Sequence, residues 1–250
     1  MNAIPKRLGK EPLVEAIWQI QFEPEANQPI GDILHGVLYT ALKVVYPTLR
    51  LLRLPAADIP APVAQLDPNL RLVPKFRMES DNSPFLFQTG DHIVTVNCRK
   101  PYKGWDAFKE KIFVLIDLVK ESGIVPQPQR HSLRYIDLIT LDLAPSLDTL
   151  QLSLTVGGEH ITKLPLQMRL ELPDENFKHV VQIVTPAKVG YQISDQAEGT
   201  ILDIETVDTT PFKGWDGLKE QVDFLHDRSK ALFFQRLLTP EAIKRMEPED

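Results

Sequence analysis

Pro101-Tyr102-Lys103-Gly104-Trp105-Asp106-Ala107 returns 110 residues later as Pro211-Phe212-Lys213-Gly214-Trp215-Asp216-Gly217. The match in residue type continues beyond each heptapeptide: Trp105, Phe108, Ile112, Leu115 and Val119 align with Trp215, Leu218, Val222, Leu225 and Ser229. Steps of three and four place each set on one face of a helix. Gly104 and Gly214 supply a turn, the indoles are expected to seal the helix ends against a sheet, and Asp106 and Asp216 complement the positive end of the helix dipole. The free backbone N–H groups of such a turn could also hold a ligand or partner, but retention of the inward stripe in both copies favours a structural role. A strand-turn-helix unit recurring at nearly half the chain length predicts an internal duplication.

Working outward, Val14, Ala16, Trp18, Ile20 and Phe22 alternate with Glu15, Gln19 and Gln21 among others, as in a half-buried strand. Pro29 and Asp32 suit the first turn of a helix to about Tyr46, with Ile30, Leu34, Val37, Leu38, Ala41 and Val45 inward and Pro47 ending it. Pro55, Pro60, Pro62 and Pro68 mark a rigid loop. Leu70, Leu72, Phe76 and Met78 alternate with Arg71, Lys75, Arg77 and Glu79, and Pro74 points to an edge or bulge. Gly90-Asp91 is a two-residue turn between strands Phe85–Thr89 and Ile93–Cys98, and Gly123 ends the following helix.

In the second half, Tyr135, Asp137, Ile139, Leu141 and Leu143 repeat the stripe of Val14 to Phe22. The segment after Ser146 is too short for a long helix. Strands are expected near 166–172, 179–184 and 200–207, with a polar insertion at 185–199. A helix follows the second heptapeptide, and Thr239-Pro240-Glu241 starts a last short one. No stretch reads as a flexible linker. The expectation is one compact α+β domain over 1–250, with pseudo-symmetric halves 1–125 and 126–250. Each half is antiparallel strands backed by helices, joined in one curved sheet of TATA-binding-protein-like or helix-grip-like kind, an analogy at fold level.

At 250 residues and 43% hydrophobic, the chain can bury a full core. The one cysteine, Cys98, and the lack of an apolar leader predict a cytoplasmic protein, and no apolar run is long enough for a membrane span. Residues 1–125 carry 15 Lys and Arg against 14 Asp and Glu, net +1; residues 126–250 carry 13 against 20, net −7. That asymmetry makes the second half the expected surface for a protein partner, although solubility alone explains such a charge. The sparse basic stretches, Arg71, Lys75, Arg77 and Arg99, Lys100, Lys103, argue against nucleic-acid binding.

Five segments together carry a family resemblance. They are Glu11-Pro-Leu-Val-Glu-Ala-Ile17, Val96-Asn97 leading into Pro101-Tyr-Lys-Gly-Trp105, Leu133-Arg-Tyr-Ile-Asp137, Ile201-Leu-Asp-Ile-Glu205, and Phe224-Leu-His226 through Phe234 to Leu238-Thr239. In order and spacing the chain resembles, over essentially its whole length, a sporadically distributed prokaryotic family of unknown function. That resemblance implies no catalytic residue. The family's patchy distribution implies an accessory role in a defence or toxin-related operon.

Candidate chemistry is sparse. Asp203 and Glu205 share one strand face, Asp137 interrupts an apolar stripe, and Arg134 lies three residues before it. Carboxylates converging in this way could act as an acid–base pair or hold a cation, with Arg134 stabilising negative charge; they could equally pair with arginine or face solvent. Trp18, Phe85, Phe87 and Tyr135 lie on strands that could line an apolar ligand cavity or simply fill the core. Histidines 35, 92, 131, 160, 179 and 226 have no metal-ligand spacing, and Cys98 reads as a packing residue. His226-Asp227 reads as a helix-surface pair, and neither Gly9-Lys10 nor Gly157-Gly158 fits a phosphate loop. No metal or cofactor is expected. The leading expectation is a non-enzymatic binding or regulatory protein. The alternatives are a small-molecule sensor with an apolar cavity and a carboxylate-dependent enzyme using Asp137, Asp203 and Glu205.

Overall fold

Both stripes announced by the repeated heptapeptide are buried: Phe108, Ile112, Leu115 and Val119 in one helix, Leu218, Val222, Leu225 and Ser229 in the other. A computed structural model describes residues 4–25, 28–142, 144–190, 196–210 and 214–249, with backbone alone at 61, 62, 65, 68, 69 and 216. Pro211 to Lys213 and the Asp216 side chain therefore lie outside the described residues. Gly104 (φ 88°, ψ 163°) and Gly214 (φ 77°, ψ −167°) share a backbone conformation that a Cβ disfavours.

The chain begins with β1 (Arg7–Leu8), β2 (Leu13–Gln21), α1 (Ile30–Val45) and β3 (Arg50–Arg53). A 3-10 turn (Pro55–Asp58), α2 (Ala61–Leu66) and α3 (Pro68–Arg71) precede β4 (Phe76–Glu79), β5 (Phe85–Thr89), β6 (Ile93–Arg99) and α4 (Trp105–Ser122). There follow β7 (Arg130–Ile139), β8 (Thr155–Val156), β9 (Glu159–His160), β10 (Leu166–Asp174), β11 (Phe177–Val189) and β12 (Ala197–Asp208). After a 3-10 turn at Trp215–Gly217 come α5 (Leu218–Ala231), a π turn (Leu232–Leu237), α6 (Pro240–Arg245) and β13 (Pro248–Glu249). The class is α+β with antiparallel strand pairing. No helix among the described residues is long and apolar enough to cross a membrane.

Two compact units divide the chain. The first comprises residues 15–133, 208–210 and 214–223. Its strand order is β2-β6-β5-β4-β3, in a register that lines up Trp18, Val96, Phe87, Met78 and Leu51 across five strands. The first four of these are fully buried, and α1 and α4 pack on β5 and β6 respectively. The other sheet face is polar: Thr95 Oγ1 donates to Asn97 Oδ1 (2.7 Å), Asn97 Nδ2 donates to Glu15 Oε1 (2.9 Å), and Arg99 Nη1 donates to Glu79 Oε2 (3.4 Å). The outermost strand, β3, is exposed; its Arg50 pairs with Asp81 and its Arg53 with Asp58.

The second unit comprises residues 4–14, 134–142, 144–190, 196–207 and 224–249. Its strands run β10-β11-β12-β7, and β1 pairs with β13. Ile139, Val181, Ile183, Leu202, Ile204, Leu232 and Phe233 belong to its core. Thr239 caps α6 by accepting from Ala242 N (3.2 Å).

Several sequence expectations shift. The proline-rich loop contains three short helical segments, because proline in a first turn presets helical φ instead of breaking it. Leu70 and Arg71 lie in α3, which leaves only Phe76–Glu79 of the expected strand. The turn after β5 is Asp91-His92, closed by Gly90 N donating to Ile93 O (2.8 Å); a Cβ on Gly90 would lie 2.8 Å from Val73 O. Pro29 is the N-cap of α1 and not its first residue; Val37 and Val45 face outward while Ile30, Leu34, Leu38 and Leu42 are buried. The 135–143 strand is shifted to 130–139, and the polar insertion is largely strand, with residues 191–195 and Leu143 outside the described residues. Gly157-Gly158, both at positive φ, turn the β8-β9 hairpin.

Candidate functional site

The second unit holds the chemistry-bearing groups. Arg134 grips Asp203 with two parallel bonds, Nε to Oδ1 at 2.7 Å and Nη2 to Oδ2 at 2.5 Å, and Gln182 Nε2 lies 3.4 Å from Oδ2. This fork is the strongest carboxylate clamp that side chains make. Leu202 and Ile204, on either side of Asp203, enter the core, so Asp203 and Glu205 point to the other sheet face.

Asp137 is buried, and by strand alternation it shares the side of Ile139, a core residue, and Tyr135. Burial, reinforced by the charges of Glu11 and Asp203, pushes its pKa up to about 8. Asp137 is therefore a neutral acid near pH 7. Arg134 and Asp203 are brought together, and Asp137 approaches from the opposite face, near enough to feel the Asp203 charge. Among the described residues no group of three His, Cys, Asp or Glu side chains could hold a metal ion.

The aromatic candidates occupy packed positions. Trp18 and Phe87 are fully buried, and Phe85 lies under the Lys111 ammonium (5.8 Å). Tyr135 hydroxyl bonds His226 Nδ1 of α5 (2.8 Å), so His226 is tied to the sheet instead of standing beside Asp227 as a surface pair. Cys98 is buried on β6.

A chain of polar groups went unrecognised in the sequence. His179 Nε2 lies 3.2 Å from Asp174 Oδ2; its Nδ1 lies 2.9 Å from Thr206 Oγ1, which lies 2.6 Å from Ser229 Oγ. His179, Thr206 and Ser229 are all at most 1% exposed, so no substrate reaches this acid–histidine–hydroxyl sequence. Burial pushes the His179 pKa below its usual value, and Asp174 offsets that only in part. The legible signal was Ser229, the one polar residue in an otherwise apolar stripe.

An accessible cavity of about 550 Å³ lies between the 141–149 segment and α6. Arg245 at its wall donates to Leu141 O and to Asp142 Oδ1 (2.9 Å). Ser146 Oγ donates to Asp148 Oδ2 (2.8 Å). Lys163 and Glu241 contribute further charges, and Thr149 Oγ1, buried in the wall, has no hydrogen-bond partner among the described residues. None of Trp18, Phe85, Phe87 and Tyr135 lines this cavity. No protein-family model and no curated protein matches the chain.

Proposed function

We propose that the chain is a non-enzymatic binding protein that takes a small zwitterionic ligand, such as an amino acid or short peptide, in the cavity between residues 141–149 and α6. The observation that carries this reading is the lining: a volume in the range of small-molecule sites with both signs of charge. Arg245 is already occupied by Asp142, which leaves Lys163 for a ligand carboxylate and Asp148 and Glu241 for an ammonium. Calorimetric titration of the full chain with amino acids and dipeptides tests it. Saturable binding that is lost in Lys163→Glu is expected; no binding across the panel, or binding indifferent to that variant, overturns it.

Membership of the sporadic prokaryotic family, an accessory role beside a defence or toxin-related operon, and a protein partner on the acidic second half belong to the same proposal. So do the pseudo-symmetric halves joined in one curved sheet, supported by the matching conformations of Gly104 and Gly214. Neighbouring genes and pull-down from the native host test the accessory role. A second reading, a carboxylate-dependent enzyme, is favoured by one observation: the pKa of Asp137 is displaced into the range of a general acid. A turnover abolished by Asp137→Asn in a folded protein would establish it.

A further inference from the structure

The protonation pattern of the buried His179 chain follows from its partners. A carboxylate only accepts, so the Nε2 facing Asp174 carries the ring proton and Nδ1 is bare. Nδ1 must then accept from Thr206, and the Thr206 oxygen must accept from Ser229. Every donor points toward Asp174. A proton added at Nδ1 makes the ring a donor on both sides. Thr206 must then turn its hydroxyl to Ser229, and Ser229 must find another acceptor in a site without water access. The acceptor within reach on its own helix is the carbonyl four residues back, at Leu225, and serine bonding of this kind weakens and bends helices. Three residues beyond Ser229, the chain already leaves α-helical geometry for the π turn at Leu232–Leu237.

We propose that Asp174, His179, Thr206 and Ser229 form a pH-operated latch, in which one proton reverses both hydroxyl bonds and loosens α5 from Ser229 into the π turn. The charged groups around the ring set its direction. Asp174 at the end of β10 favours the imidazolium; Arg228 of α5 and Arg236 of the π turn oppose it. Glu175 is engaged by Arg228 (2.9 Å), which also reaches Asp174 (3.4 Å). Burial, the largest influence, adds to the opposition, so the latch is closed at neutral pH and opens in acid. Because the folded pKa is depressed, stability from this group is full above the unfolded value of 6.5 and is lost as pH falls below it.

Nitrogen-15 NMR of the histidine rings in the full chain between pH 8 and 4.5, with amide exchange over residues 225–237, tests the latch. The Nε2–H tautomer is expected at neutral pH, with protonation below the usual histidine range. Through that midpoint, exchange at 229–237 should rise at least about fivefold beyond its intrinsic pH dependence. Ser229→Ala removes the reversible terminus while keeping the His179–Thr206 contact, so its ring should still titrate without the exchange step. An Nδ1–H tautomer at neutral pH overturns the proposal. So does an exchange step unchanged in Ser229→Ala, or absent from the parent protein.

Discussion

Helix α4 in the first unit and the 224–231 stretch of helix α5 in the second solve one packing problem in two ways. In the first unit, Val96 on β6 pairs with Phe87 on β5, and Val119 ends the buried stripe of α4. In the second, 110 residues on, Thr206 and Ser229 take the places of Val96 and Val119, and the neighbouring strand offers His179. The first set is apolar throughout. The second has its donors and acceptors matched in series. A helix–sheet interface thus accepts polar groups where each has a partner, and the cost of burying them appears when one is removed.

The largest effects should come from what the two regions share. Leu115→Ala in the first unit and Leu225→Ala, at the aligned position in the second, are each expected to lose about 2–5 kcal/mol in urea unfolding. A loss below about 1 kcal/mol at Leu225 would break the equivalence of the stripes. Where the regions differ, Thr206→Val should cost about 1–3 kcal/mol, since it strands His179 and Ser229. Converting the whole set with His179→Phe, Thr206→Val and Ser229→Val should recover most of that loss, and a cost equal to the sum of the single changes would contradict the matched chain.

In the two sequence stripes Asp137 stands where the first has Ala16, and both residues are buried. Its folded pKa of about 8 lies above the ordinary 3.8, so the folded state holds a proton that the unfolded state releases. The resulting stabilisation is full below the ordinary value and disappears as pH rises through 8. Asp137→Asn should flatten that dependence and gain about 1–3 kcal/mol over the parent at pH 8, measured by unfolding at several pH values. A parallel pH profile in the two proteins would refute a raised pKa.

The smallest contrast lies at the turns. Gly104→Ala and Gly214→Ala should each cost about 1–2 kcal/mol for the positive φ. The Gly214 change should cost slightly more, because its new Cβ would meet the Gln127 amide at 3.3 Å whereas Gly104 faces open space. A melting curve unaffected at either site would show that the turn is not held as described.

Periodicity disclosed the helices and most strands because one face of each is apolar. It failed at the start of β7, where His131 and Ser132 are buried but polar, and at β3, where Arg50 and Arg53 flank only two leucines. The carboxylates were legible as residue types, but the fork between Arg134 and Asp203 spans 69 positions and depends on strand neighbours that no local pattern reveals. The cavity was illegible for the same reason: residues near 145 and near 242 meet only through the fold. Ser229 was visible as an exception in its stripe, yet its meaning rests on a histidine 50 positions away.

The exposed strand β3 has a consequence for handling the protein. A free sheet edge invites another strand to zip onto it. Here both ends of that edge carry guanidinium groups held in place by Asp58 and Asp81, so an incoming copy in antiparallel alignment would bring arginine against arginine. Charge-neutral replacements at Arg50 and Arg53 would remove this guard and turn the edge into a seed for aggregation, while leaving the fold behind it intact.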